Sequence, residues 1–471
     1  MRKSRLVLLL LFPLGCLAQL GQDTTQKIEK IFSVYTPDNP GCMLSISRDG
    51  QTIFSKAWGL ADLERNTPLT TTSVTEAGSV SKQFTAAAIL LLQQQGKLSV
   101  SDDIRKYIPE IPEYGSPILI RHLIHHSSGL RDWGAIAEIA GWPRGSKNYT
   151  NGDALDIIIH QKALNFAPNT KYSYSNSNYN LLAVIVQRVS GMSLAEFTHK
   201  YIFGPAGMTH TQWRDDHNRI VPNRAIAYNQ QHDVWQIDMP NEDAYGNGGL
   251  LTTTEDLLKW NSFYSTGRLG GNTFLKDQLR TEPLNDDKPN QYAAGLFIGK
   301  QWGYDHISHD GVTAGYRARL ESYPQLHLDI AWLSNNPKIN GAVLIDQVTA
   351  LFIPEARPGF QDTNLPGDQI FIPLKHPLST YTGSYYSEEA QAGIEIKEKD
   401  GRLWMVRPGG RIAAFVVIGD ETALGPTELF SGDHNVYIKF IRENGTITGF
   451  TISVPRASNV VFVKKNATPQ K

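Results

Sequence analysis

The chain has 471 residues, which is too long for one ordinary hydrophobic core, so we expect two or three structural units. Hydrophobic residues make up 41% and charged residues 19% of the sequence, a balance typical of soluble, globular proteins. The formal net charge is −1 and no long run of one sign occurs, so nucleic acid has no electrostatic reason to bind.

The N-terminal segment MRKSRLVLLLLFPLGCLAQ resembles an export signal rather than part of a fold. Basic residues precede an apolar stretch, residues 6–17, that is too short to span a bilayer. We therefore predict a signal peptide over residues 1–18, cleaved before Gln19, and an exported protein that is periplasmic or secreted. The alternative is a membrane-anchored lipoprotein with a lipid anchor at Cys16. We expect no transmembrane span, because no other segment reaches the necessary length.

The sequence contains two cysteines, and this number limits its disulfide chemistry. If Cys16 is removed with the signal or carries a lipid, Cys42 has no partner. The exported protein therefore cannot rely on an internal disulfide. Cys42 lies in GCMLSIS, a segment that indicates a strand, so we interpret its side chain as a buried structural thiol.

The first elements after the signal are a hairpin and a helix. MLSISRDGQTIFSKAWG alternates apolar and polar residues around Asp49-Gly50, which predicts a two-residue turn between antiparallel strands. A helix is predicted over about residues 81–95, where an apolar run is stopped by Gly96.

Helices and further strands follow. Residues 101–240 contain several Pro and Gly breaks and indicate helices and loops. GNGGLLTTTEDLLKW predicts a turn, a short strand and a helix, with Thr252 and Glu255 at the spacing of a capping box. YRARLESY and HLDIAWLSN predict strands again. Strands thus lie at both ends of the first 350 residues, with helices between them. This order indicates an α+β fold: an antiparallel sheet flanked by helices, with a helical lobe.

The chain changes character after these strands. ARPGFQDTNLPGDQ is rich in Pro, Gly and polar residues, which predicts a linker over residues 354–375. The linker separates a main domain, residues 19–353, from a C-terminal domain, residues 376–471. The C-terminal domain contains short strand patterns and two hairpin turn signals, Asp400-Gly401 and Asn444-Gly445. We predict a small all-β sandwich or barrel without an evident catalytic cluster.

Ser79 and Lys82 stand three residues apart in EAGSVSKQFTAAAILLL, where the apolar helix begins. Serine in a first helical turn sits among unpaired backbone N–H groups at the positive end of the dipole, which favours an oxyanion. Residues i and i+3 share a helix face, so a desolvated Lys82 amine can reach the Ser79 hydroxyl and accept its proton. The alternative is a serine cap beside a surface lysine, which the following apolar run disfavours.

A second set of polar residues lies in FAPNTKYSYSNSNYNLLAVIVQRVSG, between a turn and a helix. Tyr174 can relay a proton there, and Asn176 can hold a substrate amide. The Tyr-x-Asn spacing also occurs at Tyr149 and Tyr245, and the latter is the better competitor because it lies beside a glycine turn. A loop tyrosine with its ring in the core is the usual alternative for each of these residues.

A third set is His309-Asp310-Gly311, which opens HDGVTAGYRARL. It begins a predicted strand whose glycines let a ligand approach the backbone closely. The alternative is an ordinary hairpin without a function in binding.

The sequence resembles the penicillin-binding-protein and class C β-lactamase superfamily of serine hydrolases, which carries three such motifs in this order: Ser79-x-x-Lys82, Tyr174-x-Asn176 and His309-x-Gly311. Flanking segments agree: IRHLIHHSSGL, APNTKYSYSNSNYNLLAVIVQRVSG, GNGGLLTTTEDLLKW and IAWLSNNP. The similarity covers about residues 25–350 and implies a β-lactamase/transpeptidase-like fold. It also favours Tyr174 over the other two tyrosines by its position in the pattern.

The resemblance implies a two-step acyl transfer. Ser79 would attack a carbonyl and form an acyl-enzyme, which water or another acceptor releases. Lys82 and Tyr174 would share the proton transfers, and Asn176 would orient the substrate. The backbone N–H groups of Ser79 and Val312 would form the oxyanion hole.

The third motif departs from the common pattern, since many relatives carry Lys-Thr-Gly or Lys-Ser-Gly. His309 is charged only when its pKa allows. Asp310 replaces a hydroxyl that helps hold the substrate's carboxylate in relatives, and an ionised aspartate would repel that group. We therefore hypothesise a poor fit for penicillins and for peptides ending in free D-alanine, unless Arg317 or Arg319 supplies a positive charge.

These observations predict a serine hydrolase that acts on an ester, amide or peptide, either of D-amino-acid type or a simple ester. The first alternatives are a true β-lactamase and a D-alanyl-D-alanine carboxypeptidase. An alternative of another class is a non-catalytic relative that binds a wall fragment or a partner protein, which the intact Ser79, Lys82 and Tyr174 disfavour. The expected partner is a small-molecule or peptide substrate, and the oligomeric state stays open.

Other residues that suggest a site at first sight are histidines and tryptophans. His122, His125 and His126 resemble a metal cluster, but no carboxylate motif completes a ligand set, so we expect no metal and no cofactor. His126 matches a structural histidine of the superfamily. Trp133 and Trp142 either line a cleft or pack in the core, and core packing is the commoner role.

Overall fold

The computed structural model of the protein describes residues 20–142, 147–353, 376–410, 412–419, 422–425 and 436–465. The expected signal peptide, the lipid anchor at Cys16 and the linker over residues 354–375 lie outside them. Within these ranges, a six-stranded sheet with helices on both faces precedes an all-β barrel. This architecture confirms the α+β class and the all-β C-terminal unit that the sequence predicts.

The main sheet has six antiparallel strands, and the hairpin at the start of the fold completes it. Their spatial order is Phe297–Gln301, Tyr304–Thr313, Tyr316–Tyr323, Leu328–Ser334, Cys42–Arg48 and Gln51–Trp58. The register pairs Leu44 with Trp332 across the central pair of strands. Asp49 and Gly50 form the hairpin turn with φ values of 53° and 73°, as the alternating pattern predicts.

Helices cover both faces of the main sheet, because its strands present apolar side chains alternately to each side. One face packs against Gln22–Ile31 and Gly341–Thr349, and the other against Lys82–Gln94 and Thr254–Ser265. The remaining α-helices are Ile120–Ile124, Trp133–Ile139, Asn151–Ile159, Asn176–Ser190, Leu194–Thr198, Gly204–Ala206 and Gly271–Leu279. Most of these form the helical lobe that the sequence predicts.

Short strands also occur beyond those that the sequence predicts. They are Leu60–Asp62, Thr67–Pro68, Thr75–Glu76, Tyr149–Thr150, Gln212–Trp213, Tyr228–Gln231, Val234–Ile237 and Glu242–Asp243. The short strand predicted in GNGGLLTTTEDLLKW is Leu250–Thr252. The predicted capping pair, Thr252 and Glu255, is wrong by one residue. Thr252 ends a strand, so Thr253 caps the next helix and its hydroxyl accepts the Asp256 N–H at 3.2 Å.

The C-terminal unit is a closed barrel of eight antiparallel strands, so of the two predicted architectures the structure has the barrel. The strands are Gly383–Ser387, Ala392–Lys399, Arg402–Val406, Ile412–Gly419, Thr422–Gly425, Val436–Glu443, Thr446–Val454 and Ala457–Lys464. Tyr385 pairs with Lys464, which joins the first strand to the last. The buried rings of Tyr385 and Phe462 both pack against Phe450, with centroids 4.8 and 5.1 Å apart.

The barrel docks on the helical lobe through buried polar contacts. Arg131 forms an ion pair with Glu389 at 2.6 Å, and these side chains are only 2% and 6% exposed. Arg131 also donates to the Asn459 carbonyl at 3.2 Å, and the Gln161 amide donates to the Glu389 carbonyl at 3.0 Å. Because a buried charge is costly unless it is paired, these contacts hold the barrel in one orientation on the lobe.

In the part of the chain that the structure describes, no single helix is long and apolar enough to cross a membrane. One bent pair, Asn176–Ser190 with Leu194–Ala206, passes the same test by length and composition alone.

Candidate active site

Ser79 lies in a tight 3-10 turn, Gly78–Ser81, that leads directly into the buried helix Lys82–Gln94. Gly78 has a φ of +48°, in the left-handed region that favours glycine. The Ser81 hydroxyl donates to the Gly78 carbonyl at 2.5 Å and accepts the Leu250 N–H at 3.1 Å, which ties the turn to the neighbouring strand. Ser79 is left half-buried at the edge of the main sheet.

The Lys82 amine is fully buried and lies among three oxygen atoms. Its Nζ is 3.1 Å from the Ser79 Oγ, 3.0 Å from the Asn176 Oδ1 and 2.5 Å from the Asn247 carbonyl oxygen. It also lies 4.7 Å from the centroid of the Tyr174 ring. The side chains of the first two predicted motifs therefore meet at one nitrogen atom.

The protonation state of Lys82 follows from this environment. Burial holds the pKa of its amine well below the ordinary value of 10.5, and the Arg456 charge lowers it further, whereas Asp132 raises it. A neutral amine has two N–H donors and one lone pair. The amide and carbonyl oxygens of Asn176 and Asn247 can take both donors, which leaves the lone pair facing the Ser79 hydroxyl. This geometry suits a general base.

Tyr174 lies beside this pair and stays protonated. Burial raises the pKa of its phenol strongly, although the nearby Ser79 hydroxyl lowers it in part. Its hydroxyl is buried and makes no hydrogen bond of normal geometry to the residues that the structure describes. A phenol in this state can donate a proton but does not readily accept one.

Asn176 is held at both of its ends. Its backbone N–H donates to the Asp132 carboxylate at 2.6 Å, and its side-chain oxygen accepts from Lys82. Asp132 is itself fixed as the N-cap of Trp133–Ile139, where it accepts the Ala135 N–H at 3.1 Å. The start of one lobe helix therefore positions the amide that contacts the lysine.

His309 faces the same site, and its imidazole is neutral. Burial lowers its pKa to about 3, and Lys82 contributes in the same direction when its amine is protonated. Its Nδ1 lies 2.6 Å from the Asp310 carbonyl and must donate to it, so its Nε2 accepts from the Tyr292 hydroxyl at 2.9 Å. The third motif thus supplies no positive charge where many relatives carry lysine.

The sequence predicts Asp310 as a substrate-binding residue, but its side chain lies outside the site. Adjacent residues of a strand point to opposite faces, so the Asp310 side chain lies on the face away from His309 and is 64% exposed. Its carboxylate pairs with Arg319 at 2.9 Å, and Arg319 also pairs with the buried Glu321. Arg317 donates to two carbonyls of its own turn. Neither arginine is therefore available to the cleft.

Gly311 and Val312 bring the third motif against the Ser79 turn. A Cβ on Gly311 would lie 2.0 Å from the Ala77 carbonyl oxygen, and one on Gly78 would lie 2.6 Å from the Val312 nitrogen. The glycines allow this close approach of two backbones. The N–H groups of Ser79 and Val312 consequently lie on adjoining segments, as the expected oxyanion hole requires.

Two residues that the sequence did not single out also lie at the site. Asn247 contributes its carbonyl to Lys82, and its side chain accepts from Asn180 at 3.0 Å. Arg456, from the turn between the last two barrel strands, has its guanidinium carbon 5.1 Å from the Tyr174 ring centroid. Asn247 belongs to the Tyr245-Gly246-Asn247 segment, so its Tyr-x-Asn spacing was a usable signal. No local pattern marks Arg456.

The remaining candidate residues make contacts that stabilise the fold. His126 accepts the Ser175 N–H and the Asn178 amide through its Nδ1, at 3.2 and 3.1 Å. Tyr149 packs its ring between Trp133 and Trp142, at 5.8 and 6.0 Å. Among the described residues, no three His, Cys, Asp or Glu side chains are arranged to hold a metal ion.

Comparisons with known proteins agree on one family. A family model described as Beta-lactamase matches residues 28–351. Penicillin-binding protein 4* of Bacillus subtilis (strain 168) is 29% identical over 381 residues, which cover 76% of this chain and 81% of that protein. A D-aminopeptidase of Gluconobacter oxydans (strain 621H) is 29% identical over 299 residues, which cover 63% of this chain. The match spans only 56% of that relative, little more than half its length.

Solved structures show the same fold. The octameric penicillin-binding protein homologue from Pyrococcus abyssi superposes with a TM-score of 0.61 at 22% identity, covering 94% of this chain and 99% of that one. The D-amino acid amidase from Ochrobactrum anthropi SV3 superposes with a TM-score of 0.59 at 19% identity, covering 69% of this chain and 98% of that one. At these identities the likeness concerns the fold alone.

Proposed function

Because the chain belongs to the beta-lactamase family of serine hydrolases, we propose that it hydrolyses esters, amides or peptides of D-amino-acid type through an acyl-enzyme on Ser79. The observation that carries this proposal is the contact between the Ser79 hydroxyl and the buried Lys82 amine, at 3.1 Å. Burial lowers the pKa of Lys82 and so favours the neutral amine, the form that can act as a base.

Acylation follows from the contacts around Lys82. The Ser79 oxygen attacks the substrate carbonyl carbon while its proton passes to the Lys82 lone pair. The carbonyl oxygen becomes an oxyanion between the N–H groups of Ser79 and Val312. When the bond to the leaving amine or alcohol breaks, that group takes a proton either directly from the Lys82 ammonium or from Tyr174, which then recovers a proton from the Lys82 ammonium. Lys82 is neutral again in both cases. The products of this step are the acyl-Ser79 ester and the free leaving group.

Deacylation reverses the roles of the same groups. A water molecule attacks the ester carbonyl and gives its proton to the neutral Lys82 amine. The Ser79 oxygen leaves and recovers the proton, and the acyl group departs as a carboxylic acid. Asn176 fixes the amine throughout, because its Oδ1 accepts from Lys82 while its backbone is held by Asp132.

The names of relatives support the substrate class. Proteins called D-aminopeptidase are 28 to 29% identical over more than half of this chain, and a D-amino acid amidase shares its fold. An apolar hydrophobic signal at the N-terminus supports export, and we propose that the enzyme meets its substrate outside the cytoplasm.

A hydrolysis panel tests the proposal. The pure protein, Ser79→Ala and the matched surface variant Ser116→Ala are assayed on D- and L-alanine p-nitroanilide, on a p-nitrophenyl ester and on nitrocefin. We expect turnover of the D-configured amide or the ester that is lost in Ser79→Ala and kept in Ser116→Ala. Fast hydrolysis of nitrocefin alone would establish a β-lactamase instead, and no serine-dependent turnover would favour a binding protein.

A further inference from the structure

We propose that Arg456, carried into the cleft by the C-terminal barrel, binds an anionic group of the substrate and selects substrates with a free carboxylate beside the scissile bond. This inference rests on the proposed acyl-transfer function and names its substrate class. It assigns part of the binding site to a domain that lies far from Ser79 in the sequence.

The turn that carries Arg456 is fixed against the catalytic lobe by its backbone. The Arg456 carbonyl accepts the Asp132 N–H at 3.0 Å and the Asn165 amide at 3.2 Å. The Asn165 side-chain oxygen in turn accepts both the N–H and the hydroxyl of Ser458, at 2.9 and 2.8 Å. The buried ion pair between Arg131 and Glu389 anchors the same edge of the barrel. Asp132 therefore links the barrel turn directly to Asn176, whose N–H it accepts.

The Arg456 side chain differs from the other arginines of this region. Its guanidinium stacks over the Tyr174 ring, 5.1 Å from the centroid, and the residue is exposed. No carboxylate of a described residue forms an ion pair with it, whereas Arg131 and Arg319 both have one. An arginine held over the proton-donating tyrosine, with its charge uncompensated, is a site for an anion.

The neighbouring groups leave this role to Arg456. His309 is neutral and its two ring nitrogens are already bonded, so it cannot act as the fixed cation of the third motif. Lys82 is buried and its amine is committed to Ser79, Asn176 and Asn247. A guanidinium offers paired N–H donors that match the two oxygens of a carboxylate.

The structure also removes the argument against an acidic substrate. That argument required the Asp310 carboxylate to face the cleft and repel a carboxylate there. Asp310 lies on the other face of its strand and is paired with Arg319. The charged groups that act on Tyr174 include Arg456, which attracts an anion, but not Asp310.

The test compares one pair of substrates that differ only in charge: N-acetyl-D-alanyl-D-alanine and its C-terminal carboxamide. The values of kcat/KM for both are measured on the full-length protein, Arg456→Ala, Arg456→Lys and the control Arg402→Ala. Arg402 is an exposed arginine of the same barrel, placed at the opposite end from Arg456 because neighbouring strands alternate in direction.

We expect the wild type to prefer the carboxylate over the carboxamide by about tenfold or more, since a hydrogen bond to a charged group contributes that much. Arg456→Ala brings the ratio close to one, Arg456→Lys retains part of it, and Arg402→Ala keeps it whole. Thermal melting verifies that each variant is folded.

Two results would overturn the inference while leaving the proposed function intact. One is equal, Ser79-dependent hydrolysis of both substrates by the wild type. The other is a carboxylate preference that survives in Arg456→Ala. Absence of any Ser79-dependent hydrolysis, on the neutral esters included, would instead refute the proposed function itself.

Discussion

At the scale of single residues, the chemistry depends on keeping one lysine neutral. Transfer of an ammonium from water into the protein interior is costly, so burial favours the uncharged amine of Lys82. Two carbonyl oxygens fix the direction of its N–H groups, and the Ser79 hydroxyl receives the remaining lone pair. A base is obtained here without histidine, because His309 is turned toward Tyr292 and the Asp310 carbonyl.

The pH dependence of the reaction should report Lys82. We expect kcat/KM to fall as pH falls through the lowered pKa of Lys82, because protonation removes the lone pair that accepts the Ser79 proton. The activity should be on its plateau well below pH 10.5, the ordinary value for lysine. A pH–rate profile with a p-nitrophenyl ester, corrected for the ionisation of p-nitrophenol, measures this limb.

His309→Gln is the control for this assignment. The pKa of His309 is about 3, so its imidazole does not titrate between pH 5 and 8, and the midpoint of the acid limb should not move. Lys82→Ala should lower kcat by about 10²- to 10⁴-fold, the usual contribution of a general base. An acid limb that moves in His309→Gln would assign the base to the histidine.

The sequence could predict most residues of this site, but not which way each side chain points. Short spacings nominated Ser79 and Lys82, and the resemblance to the superfamily selected Tyr174 and Asn176 among three Tyr-x-Asn pairs. These four residues meet around one amine. The period of a strand would also have separated His309 from Asp310, had its hydrogen-bonded face been known. Arg456 could not be found, because its position depends on docking between two domains.

At the scale of elements, two backbones meet where a strand of the main sheet passes the Ser79 turn. Gly311 packs directly on the Ala77 carbonyl, and Gly78 packs on the Val312 amide. A side chain at either position would separate the strand from the turn. The distance between the two N–H groups of the oxyanion hole is thus set by glycine.

Gly311→Ala tests this contact. The added Cβ would lie 2.0 Å from the Ala77 carbonyl oxygen, which is backbone and cannot rotate away. We expect a loss of about 1–3 kcal/mol in the free energy of unfolding, as for other overpacked sites, together with a fall in kcat/KM. Urea unfolding and ester hydrolysis measure the two effects.

Gly299→Ala is the matched control, since Gly299 lies on the edge strand of the same sheet and its Cβ would contact nothing within 4 Å. Both the stability and the activity of this variant should stay near the wild type. Equal effects of the two substitutions would show that the contact with Ala77 is unimportant.

Local signals predicted some elements well and others with an offset. Asp-Gly and Asn-Gly turns were reliable, because both residues must adopt positive φ: Asp400, Gly401, Asn444 and Gly445 all do. The helix expected from residue 81 begins at Lys82, after a 3-10 turn that holds Ser79. The backbone hydrogen bond from the Val80 N–H to the Ala77 carbonyl, three residues back, marks the tight turn, and local sequence patterns do not report it.

At the scale of the whole molecule, the barrel packs directly against the lobe that carries Asn176. Arg131 holds it through Glu389, and the adjacent Asp132 contacts both the barrel turn and Asn176. The contacts with the barrel join residues more than 250 positions apart in the chain. Sequence patterns report local periodicity, so they identified an all-β domain but not where it docks.

The adjacent pair Glu388 and Glu389 offers a direct test of this docking. Glu389→Ala leaves the buried Arg131 guanidinium uncompensated, and we expect it to lower the free energy of unfolding by about 3–5 kcal/mol. Glu388 pairs with Lys162 on the surface and is 73% exposed. Its alanine variant should therefore lose no more than about 1 kcal/mol.

Denaturant unfolding measures the free energy of unfolding of Glu388→Ala and Glu389→Ala, two variants at adjacent positions. If the barrel positions Arg456, Glu389→Ala should also reduce the preference for the carboxylate substrate, and Glu388→Ala should not. Similar stability for the two variants would mean that the barrel is not held through Arg131.

The central claim is that Ser79 is acylated with Lys82 as its base, and intact-protein mass spectrometry tests it most directly. The protein is treated with a fluorophosphonate and with a slowly hydrolysed D-aminoacyl ester, and the adduct is located by peptide mapping. We predict a single adduct on Ser79 that is absent in Ser79→Ala and forms far more slowly in Lys82→Ala. An adduct on another residue, or equal labelling rates in wild type and Lys82→Ala, would contradict it.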